Sequence, residues 1–243
     1  MPEGPSLYIL REKVAHFKGK KILEADGYAK GIDMSRIEGQ KVIDIRSWGK
    51  QLLFIFKGFT VRVHMGLFGS YMIDDRKKVN ASLHLRFADG EVNFYVSTVK
   101  IVEGDVHDSY DWAVDIMSDE WNAKMVYGIL REKPKMLACD ALMDQHIFSG
   151  SGNIIKNEVL WRVKLHPEAV MAKIPDTKLR EMIRETHKYA FDFLRWKKDG
   201  VLSRNWQAYE QKVCSRCNVA FKVKDKGKSK RRTYYCTNCQ VKY

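Results

Sequence analysis

The sequence predicts an α+β protein in which a leading helix and an N-terminal antiparallel β-sandwich precede a helical region and a small cysteine-bearing module. Three observations predict this order: short alternating apolar runs over residues 21–99, apolar residues at helical spacing over residues 118–198, and two Cys-x-x-Cys pairs near the C-terminus. Hydrophobic residues make up 45% of the chain, which is enough to build real cores and argues against wholesale disorder.

The charge balance indicates a polyanionic partner. Lys and Arg number 43 against 30 Asp and Glu, which gives a formal net charge of +13. Such an excess favours nucleic acid, although a basic surface can also serve solubility alone. No segment approaches the roughly 20 apolar residues that cross a bilayer. We therefore expect a monomeric, cytoplasmic protein without signal peptide or membrane partner, associated with the nucleoid if it is bacterial.

The first half of the chain reads as one helix followed by strands. After Pro2 and Pro5, apolar residues at positions 7–17 recur at spacings of three and four, which predicts an amphipathic helix. From residue 21 to about residue 99 the pattern changes to alternation, and Ala88-Asp89-Gly90 fits a hairpin turn. Several short strands of this kind imply an antiparallel sandwich or barrel.

The second half reads as helical. Ser118-Asp119-Glu120 predicts a helix start, Pro134 predicts the start of a second helix, and apolar residues at 155–163 predict a third. A long helix is expected after Asp176 and should stop at Gly200. The predicted parts of the chain are residues 1–117, 118–205 and 206–243.

The cysteines carry the most specific spacing. Cys214-x-x-Cys217 is followed, after eighteen residues, by Cys236-x-x-Cys239. Four thiolates at this spacing can close a tetrahedron around one Zn²⁺ and leave no position open for catalysis, so the metal would be structural. The alternative is four unligated thiols. Cys139 lies on a predicted apolar helix and is expected to be merely buried.

Two further segments suit contacts with a phosphate or a sugar. The run 148–155 is rich in Gly and Ser ahead of a helix, so its N–H groups, with Asn153, could bind one phosphate; an ordinary turn is the alternative. At the other end, removal of Met1 would free the secondary amine of Pro2, with a pKa of roughly 8. That amine could attack a sugar carbon and form an iminium, whereas the alternative is a proline-rich helix start.

Taken in order, these pieces resemble the formamidopyrimidine-DNA glycosylase and endonuclease VIII family of base-excision repair enzymes. The resemblance implies a bifunctional DNA glycosylase and AP lyase acting on damaged double-stranded DNA, with a helix–two-turns–helix (H2TH) domain and a terminal zinc ribbon. The segments that carry it are Pro2–Pro5, the Gly49–Leu53 strand, His64–Ser70, Gly152–Ile154 and the ribbon ending Cys239-Gln240.

The resemblance also implies roles for three residues near the N-terminus. Pro2 matches the nucleophile that forms a Schiff base at C1′, and Glu3 matches the acid that protonates the sugar oxygen or the leaving group. Lys50 matches the lysine that the family assigns to β-elimination. Without the surrounding motif, Lys50 would be a solvated strand lysine.

Four other positions are implied to contact DNA. Leu67 and Phe68 match a loop that fills the gap left by a flipped nucleotide, and an apolar wedge suits an unstacked base step. Both could instead be core residues. Asn153 matches a phosphate-binding asparagine, and Arg231 matches the zinc-hairpin arginine with a part in δ-elimination. Because a guanidinium is a poor proton donor, phosphate clamping and charge stabilisation are the expected roles of Arg231.

Two departures from the family pattern shape the expected activity. Ser6 stands where a second glutamate is usual, and no Arg-x-Phe pair follows Val99. The second departure, with Gly4 and Leu67, favours the endonuclease VIII branch and oxidised pyrimidines. Ser6 leaves open a catalytically impaired protein that binds lesions or abasic sites. A zinc-ribbon RNA-binding protein is the rival from another class, and it would need none of Pro2, Glu3 and Lys50.

Overall fold

The computed structural model describes residues 2–243, so Met1 lies outside the described residues. The chain forms two compact units, Met1–Asp111 and Trp112–Tyr243. The three-part division expected from the sequence stays a prediction. Among the described residues, no helix combines the length and the apolar character that crossing a membrane requires.

The first unit begins with helix α1, Gly4–Val14, which follows the rule that proline is tolerated in the first helical turn. Leu7, Leu10 and Val14 are fully buried, as their spacing predicts, and α1 packs against the strands of residues 44–48 and 51–55. The unit ends with the short helix α2, Val106–Ser109. Its strands are β1 Glu24–Asp26, β2 Asp44–Trp48, β3 Gln51–Ile55, β4 Phe59–His64, β5 Ser70–Ile73, β6 Leu83–Phe87, β7 Gly90–Tyr95 and β8 Thr98–Glu103.

These strands form two four-stranded sheets, in the orders β2-β3-β4-β8 and β1-β6-β7-β5, and every pairing is antiparallel. The fold is therefore a sandwich and not a barrel. Phe54 of one sheet meets Phe94 of the other edge to face, with ring centroids 6.1 Å apart. The predicted turn at Ala88-Asp89 is confirmed, because it joins β6 to β7.

The second unit contains helices α3 Ala123–Arg131, α4 Ala138–Ala141, α5 Asn153–Arg162 and α6 Asp176–Lys198. The helix start predicted at 118–120 is wrong, because those residues form a turn in which the Ser118 hydroxyl accepts the Glu120 N–H at 3.0 Å. Asn122 caps α3 instead, and its side-chain oxygen accepts the N–H groups of Lys124 and Met125. The amide therefore satisfies two of the unpaired donors that every helix start presents.

The helix predicted from Pro134 is also wrong, since only the four residues of α4 are helical there. The preceding segment pairs its backbone with a distant one: Met171 N–H donates to Met136 at 2.9 Å, and Ala138 N–H donates to Ala169 at 2.9 Å. These long-range bonds use the groups that a helix would pair internally. The long helix α6 is confirmed and ends just before Gly200, whose φ is +70°.

The C-terminal region carries one hairpin, the zinc hairpin, made of β9 Lys222–Lys226 and β10 Arg231–Tyr235. The two strands are antiparallel, with Arg231 opposite Lys226. A salt bridge of 2.7 Å joins Lys226 of β9 to Glu168, which lies in the segment between α5 and α6. Together with the four-cysteine cluster described below, the sandwich and the helices complete the α+β fold expected from the sequence.

Candidate active site and metal centre

The N-terminal segment places a buried carboxyl next to Pro2. Pro2 is half-buried, whereas Glu3 has no exposed surface. The carbonyl of Glu3 accepts the N–H groups of Ser6 at 2.8 Å and Leu7 at 3.3 Å, which starts α1. The Glu3 side chain makes no capping bond to the helix. With Ser6 in place of a second acid, Glu3 carries the only carboxyl at this helix start.

Lys50 lies in a turn and not in the strand predicted for Gly49–Leu53. Trp48 pairs with Gln51, so Gly49 and Lys50 form the two-residue connection between β2 and β3. Gly49 has a φ of +55°, which the first position of a type II′ hairpin turn requires. Lys50 is partly buried, and α1 packs on both strands that the turn connects.

A polar cluster beside Lys50 escaped the sequence analysis as a site. His64, at the end of β4, lies with Nδ1 3.1 Å from the carbonyl oxygen of Lys50. Because a carbonyl only accepts, the proton of this bond belongs to Nδ1, and burial lowers the pKa of His64. Arg62 shares its strand face, and its Nε is buried without a partner in the part of the chain described. His64 stood in a quoted motif, but nothing in the sequence singled out Arg62.

The loop between β4 and β5, residues 66–69 and here called the wedge loop, carries two exposed apolar side chains. Leu67 is 50% exposed and Phe68 is 78% exposed, so the alternative that they are core residues is wrong. The Gly69 N–H donates to the Met65 carbonyl at 2.8 Å and closes the loop. A Cβ on Gly69 would lie 2.1 Å from that carbonyl oxygen, so only glycine fits. Gly66 has a φ of +57°.

Asn153 is the first residue of α5 and is buried. Its amide nitrogen donates to the Arg232 carbonyl at 3.1 Å, which ties the helix to β10. Its side-chain oxygen is buried without a hydrogen-bond partner among residues 2–243. The amide group has a second N–H, so one donor remains for a ligand at the helix N-terminus.

Further polar residues of α5 hold the strand that carries Arg231. The ammonium of Lys156, itself buried, donates to the Thr233 hydroxyl at 2.8 Å. That hydroxyl donates to the carbonyl of Arg231 at 2.8 Å. The next residue, Asn157, accepts the Tyr234 N–H with its side-chain oxygen at 2.8 Å. Lys156 and Asn157 lie three and four residues after Asn153, so the three polar residues share one helix face, and this spacing is the signal that could have revealed the contact.

The four cysteines of the two Cys-x-x-Cys pairs converge. Their sulfur atoms all lie within 4.8 Å of one another, and those of Cys214 and Cys239 are 3.8 Å apart. A tetrahedral Zn²⁺ with ~2.3 Å bonds to sulfur needs sulfur atoms roughly 3.8 Å apart, so the set fits such an ion. Trp161 of α5 donates its indole N–H to Cys214 at 3.2 Å. The sequence-predicted metal ligands are thus brought together.

The fifth cysteine takes no part in this cluster. Cys139 lies in α4 and is buried, and burial raises the pKa of its thiol to about 11. A thiol with so high a pKa carries little thiolate at neutral pH and reacts slowly. The expectation that Cys139 is simply buried is confirmed.

The predicted site residues divide between the two units. Pro2, Glu3, Lys50, Leu67 and Phe68 belong to the first unit. Asn153, Arg231 and the four cysteines belong to the second unit.

The class that this fold defines is a helix-led β-sandwich joined to a helical unit with a four-cysteine ribbon, and two family models match it in that order. The model for the formamidopyrimidine-DNA glycosylase N-terminal domain matches residues 1–100. The model for the formamidopyrimidine-DNA glycosylase H2TH domain matches residues 112–201. The chain belongs to the formamidopyrimidine-DNA glycosylase and endonuclease VIII family.

Relatives come from both branches of this family. Endonuclease 8-like 3 of Mus musculus is 28% identical over 81% of this chain, and this chain spans about a third of its length, 34%. Formamidopyrimidine-DNA glycosylase of Lactobacillus helveticus is 27% identical, with all of both chains covered.

Solved structures share the fold. A viral DNA glycosylase has a TM-score of 0.84 at 17% identity, covering 98% of this chain and 100% of that chain. The Lactococcus lactis formamidopyrimidine-DNA glycosylase, solved with DNA that contains an abasic site, has a TM-score of 0.83 at 21% identity, covering 98% and 99%. The fold expected from the resemblance is thereby confirmed.

Proposed function

We propose that the protein is a bifunctional DNA glycosylase and AP lyase of base-excision repair, which removes oxidised bases, pyrimidines above all, from double-stranded DNA. The observation that carries the proposal is the fully buried carboxyl of Glu3 directly after Pro2. An acid beside an amine nucleophile is what glycosidic cleavage needs.

The proposed reaction starts at the nitrogen of Pro2, which must be free, so Met1 must be removed. The amine attacks C1′ of the damaged nucleotide while the bond from C1′ to the base breaks and the base leaves with a proton. Ring opening gives an iminium between Pro2 and C1′. Loss of a proton from C2′ then expels the 3′ phosphate, and water releases the sugar from Pro2.

Glu3 and Lys50 divide the proton transfers in this scheme. Glu3 protonates the sugar ring oxygen or the departing base, and Lys50 assists the elimination. Support for Lys50 comes from its turn, which connects the two strands beneath α1, the helix that follows Pro2 and Glu3. His64 supports the same turn, because its bond to the Lys50 carbonyl fixes the backbone there.

The remaining site residues are assigned to holding DNA. Leu67 and Phe68 would fill the space of the flipped nucleotide, and their exposure on a short loop supports this role. Asn153 and Arg231 would hold phosphates of the damaged strand. A single structural Zn²⁺ on Cys214, Cys217, Cys236 and Cys239 would fold the ribbon that carries Arg231.

Borohydride trapping on abasic-site DNA tests the nucleophile. The mature protein should form a covalent adduct with the DNA, because reduction fixes the iminium. A matched protein with one extra residue before Pro2 has an amide in place of the amine and should form none. Mass spectrometry of the N-terminus checks that Met1 is absent from the first protein and that the extension is retained in the second. Equal trapping by both proteins would rule out Pro2.

Salt titration tests the phosphate contacts. Arg231→Ala should weaken binding to all duplexes alike, and the slope of log affinity against log salt should become shallower by about one. Asn153→Ala should also weaken all duplexes alike, without the change in slope. Normal binding with lost turnover in either variant would make that residue catalytic instead.

Ser6 favours a second candidate function, a protein of the same fold that binds lesions or abasic sites but excises bases poorly. Because Glu3 is the only acid in the motif, one carboxyl must both protonate the base and assist the opening of the sugar. We therefore expect robust cleavage of abasic sites and slower excision of thymine glycol. Single-turnover kinetics of the wild type and Ser6→Glu decide between them. If the wild type excises thymine glycol as fast as it cleaves abasic sites, and Ser6→Glu is no faster, the handicap does not exist.

A further inference from the structure

The first unit contains a polar pocket on the sheet β1-β6-β7-β5, and neither Pro2 nor Lys50 lines it. Its volume is about 500 Å³, within the ~300–1,000 Å³ typical of ligand pockets. Its floor holds His84 and Asn93, which are 5% and 2% exposed and lie 2.8 Å apart. One side is the segment of residues 76–81, here called the pocket loop, and another side includes Tyr28.

The pocket lies at the same end of the sandwich as the wedge loop. Ser70 follows the wedge loop directly and pairs with Tyr95 of β7. Lys77 of the pocket loop contacts both: its ammonium donates to the Ser70 hydroxyl at 2.6 Å, and its N–H donates to the Tyr95 hydroxyl at 2.9 Å. On the far side of the pocket, the Tyr28 N–H donates to the Ala81 carbonyl at 3.1 Å. A single set of bonds therefore connects the wedge loop to the pocket.

Exposed apolar side chains concentrate at this end. Of the seven large apolar side chains exposed in residues 2–111, five lie on or beside the wedge loop and the pocket loop. Val96 adds backbone strain, because its φ of +52° is costly for a β-branched residue. Such strain clusters at functional sites. The five are Tyr28, Leu67, Phe68, Val79 and Val96.

The acidic and basic side chains named here lie on different elements of the pocket. Strand β1 supplies the carboxyls of Glu24 and Asp26, and the pocket loop supplies Lys77 and Lys78. Lys78 is exposed and has no ion pair within the described part of the chain. A ligand with a phosphate at one end and hydrogen-bonding groups at the other fits this polarity. An exposed tyrosine beside it offers a face on which a base can stack.

We propose that this pocket binds one nucleotide of the DNA strand opposite the lesion, with its base stacked on Tyr28 and its phosphate held by Lys78. The proposal rests on the proposed function. When Leu67 and Phe68 occupy the place of the flipped nucleotide, its partner base loses its pair. The apolar side chains of the wedge loop offer that base no hydrogen bonds, whereas the polar pocket at the same end of the sandwich does.

Photocrosslinking locates the base. A duplex with a tetrahydrofuran abasic analogue in one strand and 5-iodouracil opposite it is irradiated with the wild-type protein, and the crosslinked peptide is identified by mass spectrometry. The crosslink should map to Tyr28. Crosslinks confined to the wedge loop would overturn the proposal, because the base would then have stayed within the duplex.

Affinity measurements on the same duplex test the contacts. Tyr28→Ala should lose about fivefold to a hundredfold in affinity, the range for one stacked base, and Tyr28→Phe should lose little. With a second abasic analogue in place of the opposite base, Tyr28→Ala should lose nothing further. Equal losses on both duplexes would overturn the proposal.

The lysine has a matched control at the other end of β4. Lys78→Ala should make the slope of log affinity against log salt shallower by about one. Lys57→Ala removes the same charge from the exposed turn before β4 and should leave the slope unchanged. Identical slopes for the two variants would contradict a phosphate at Lys78.

Two controls separate the possible failures. Borohydride trapping of the wild type reports on the proposed function alone, so trapping without any effect of Tyr28→Ala or Lys78→Ala defeats only the pocket. Titration with dAMP reports on free nucleotides. Micromolar binding of dAMP that Tyr28→Ala abolishes would assign the pocket to a free nucleotide and overturn the DNA assignment.

Discussion

The wedge loop and the zinc hairpin are both proposed to touch DNA, yet the protein holds them in opposite ways. The wedge loop stands on a sandwich whose core cluster contains 22 buried apolar residues, and one backbone bond closes it. The cluster behind the zinc hairpin contains five buried residues, two of them cysteines. The hairpin therefore depends on polar anchors and on the four-cysteine cluster proposed to bind a metal, whereas the loop depends on a shape that glycine allows.

This difference predicts where each region is sensitive. Apolar burial is distributed over many side chains, so one substitution removes only a small part of the stabilisation. In a hydrogen-bonded or metal-bound anchor, the loss of one group disrupts the whole set of contacts. Four perturbations test the contrast, in decreasing order of expected effect.

Removal of the metal should have the largest effect, and only in the C-terminal module. Structural zinc sites contribute roughly 10–16 kcal/mol of binding free energy, far more than five buried residues supply. After chelation, amide hydrogen exchange should accelerate across residues 206–243, while strands β2, β3 and β4 keep their protection. Cys139→Ala is the control and should retain about one zinc per chain. Protein that contains no zinc when freshly purified would contradict the assignment.

Gly69→Ala should have the next largest effect, in the wedge loop. The new Cβ meets the Met65 carbonyl oxygen at 2.1 Å, and backbone must move to relieve it. We expect a loss of about 3 kcal/mol in the free energy of unfolding, measured by urea denaturation. Gly66→Ala meets nothing within 4 Å and carries only the strain of a positive φ, so it should cost about 1 kcal/mol. Equal losses would mean that the loop is not closed as described.

Thr233→Val should weaken the relay between α5 and Arg231. Valine has nearly the same shape, but the Lys156 ammonium and the Arg231 carbonyl both lose their shared hydroxyl. We expect the free energy of unfolding of the module to fall by about 2 kcal/mol, and thermal unfolding measures this loss. Thr233→Ser keeps the hydroxyl and should therefore retain most of the wild-type stability. In a double-mutant cycle with Lys156→Met, additive effects would mean that the two side chains act independently.

Glu91→Gln should have the smallest effect, and it should depend on pH. Arg76 donates to Glu91 at 2.7 Å and lowers the pKa of that carboxyl to about 2, from 4.5. Because the folded pKa is depressed, the stabilisation is present above pH 4.5 and is lost as pH falls towards 2. The full pKa difference corresponds to roughly 3 kcal/mol, but Arg76 is largely exposed, so about 1 kcal/mol is expected. A wild-type advantage that does not change between pH 6 and pH 3 would contradict the ion pair.

The same contrast explains what the sequence could predict. Apolar periodicity placed α1, the sandwich strands and α6, because each buries one face and the pattern records which face. Cysteine spacing predicted the metal cluster for a similar reason, since ligand geometry fixes the spacing. Both kinds of signal are local, so they survive without knowledge of the tertiary structure.

What the sequence could not place depends on partners that are distant along the chain. The backbone after Pro134 forms bonds to residues 169–172, and this long-range pairing overrides a reasonable helix start. Helix α5 carries Lys156, Asn157 and Glu158, all buried. Polar residues usually mark an exposed face, so only their distant partners explain their burial. Strand β10 bonds to Lys156 and Asn157, and the backbone N–H groups of residues 207–209 donate to Glu158. The roles of Pro2, Glu3 and Lys50 stay predictions.

The bond from Trp161 to Cys214 has a practical consequence. Its indole N–H points at a sulfur of the metal cluster, and the guanidinium of Arg216 lies 3.9 Å from the centre of its ring. The emission of an indole responds to a neighbouring sulfur and to a neighbouring positive charge. The fluorescence of Trp161 should therefore change when the cysteine cluster changes. Subtracting the spectrum of Trp161→Phe isolates its signal from those of the other five tryptophans. Loading of the ribbon can then be followed in real time by fluorescence, without a dye or a metal indicator.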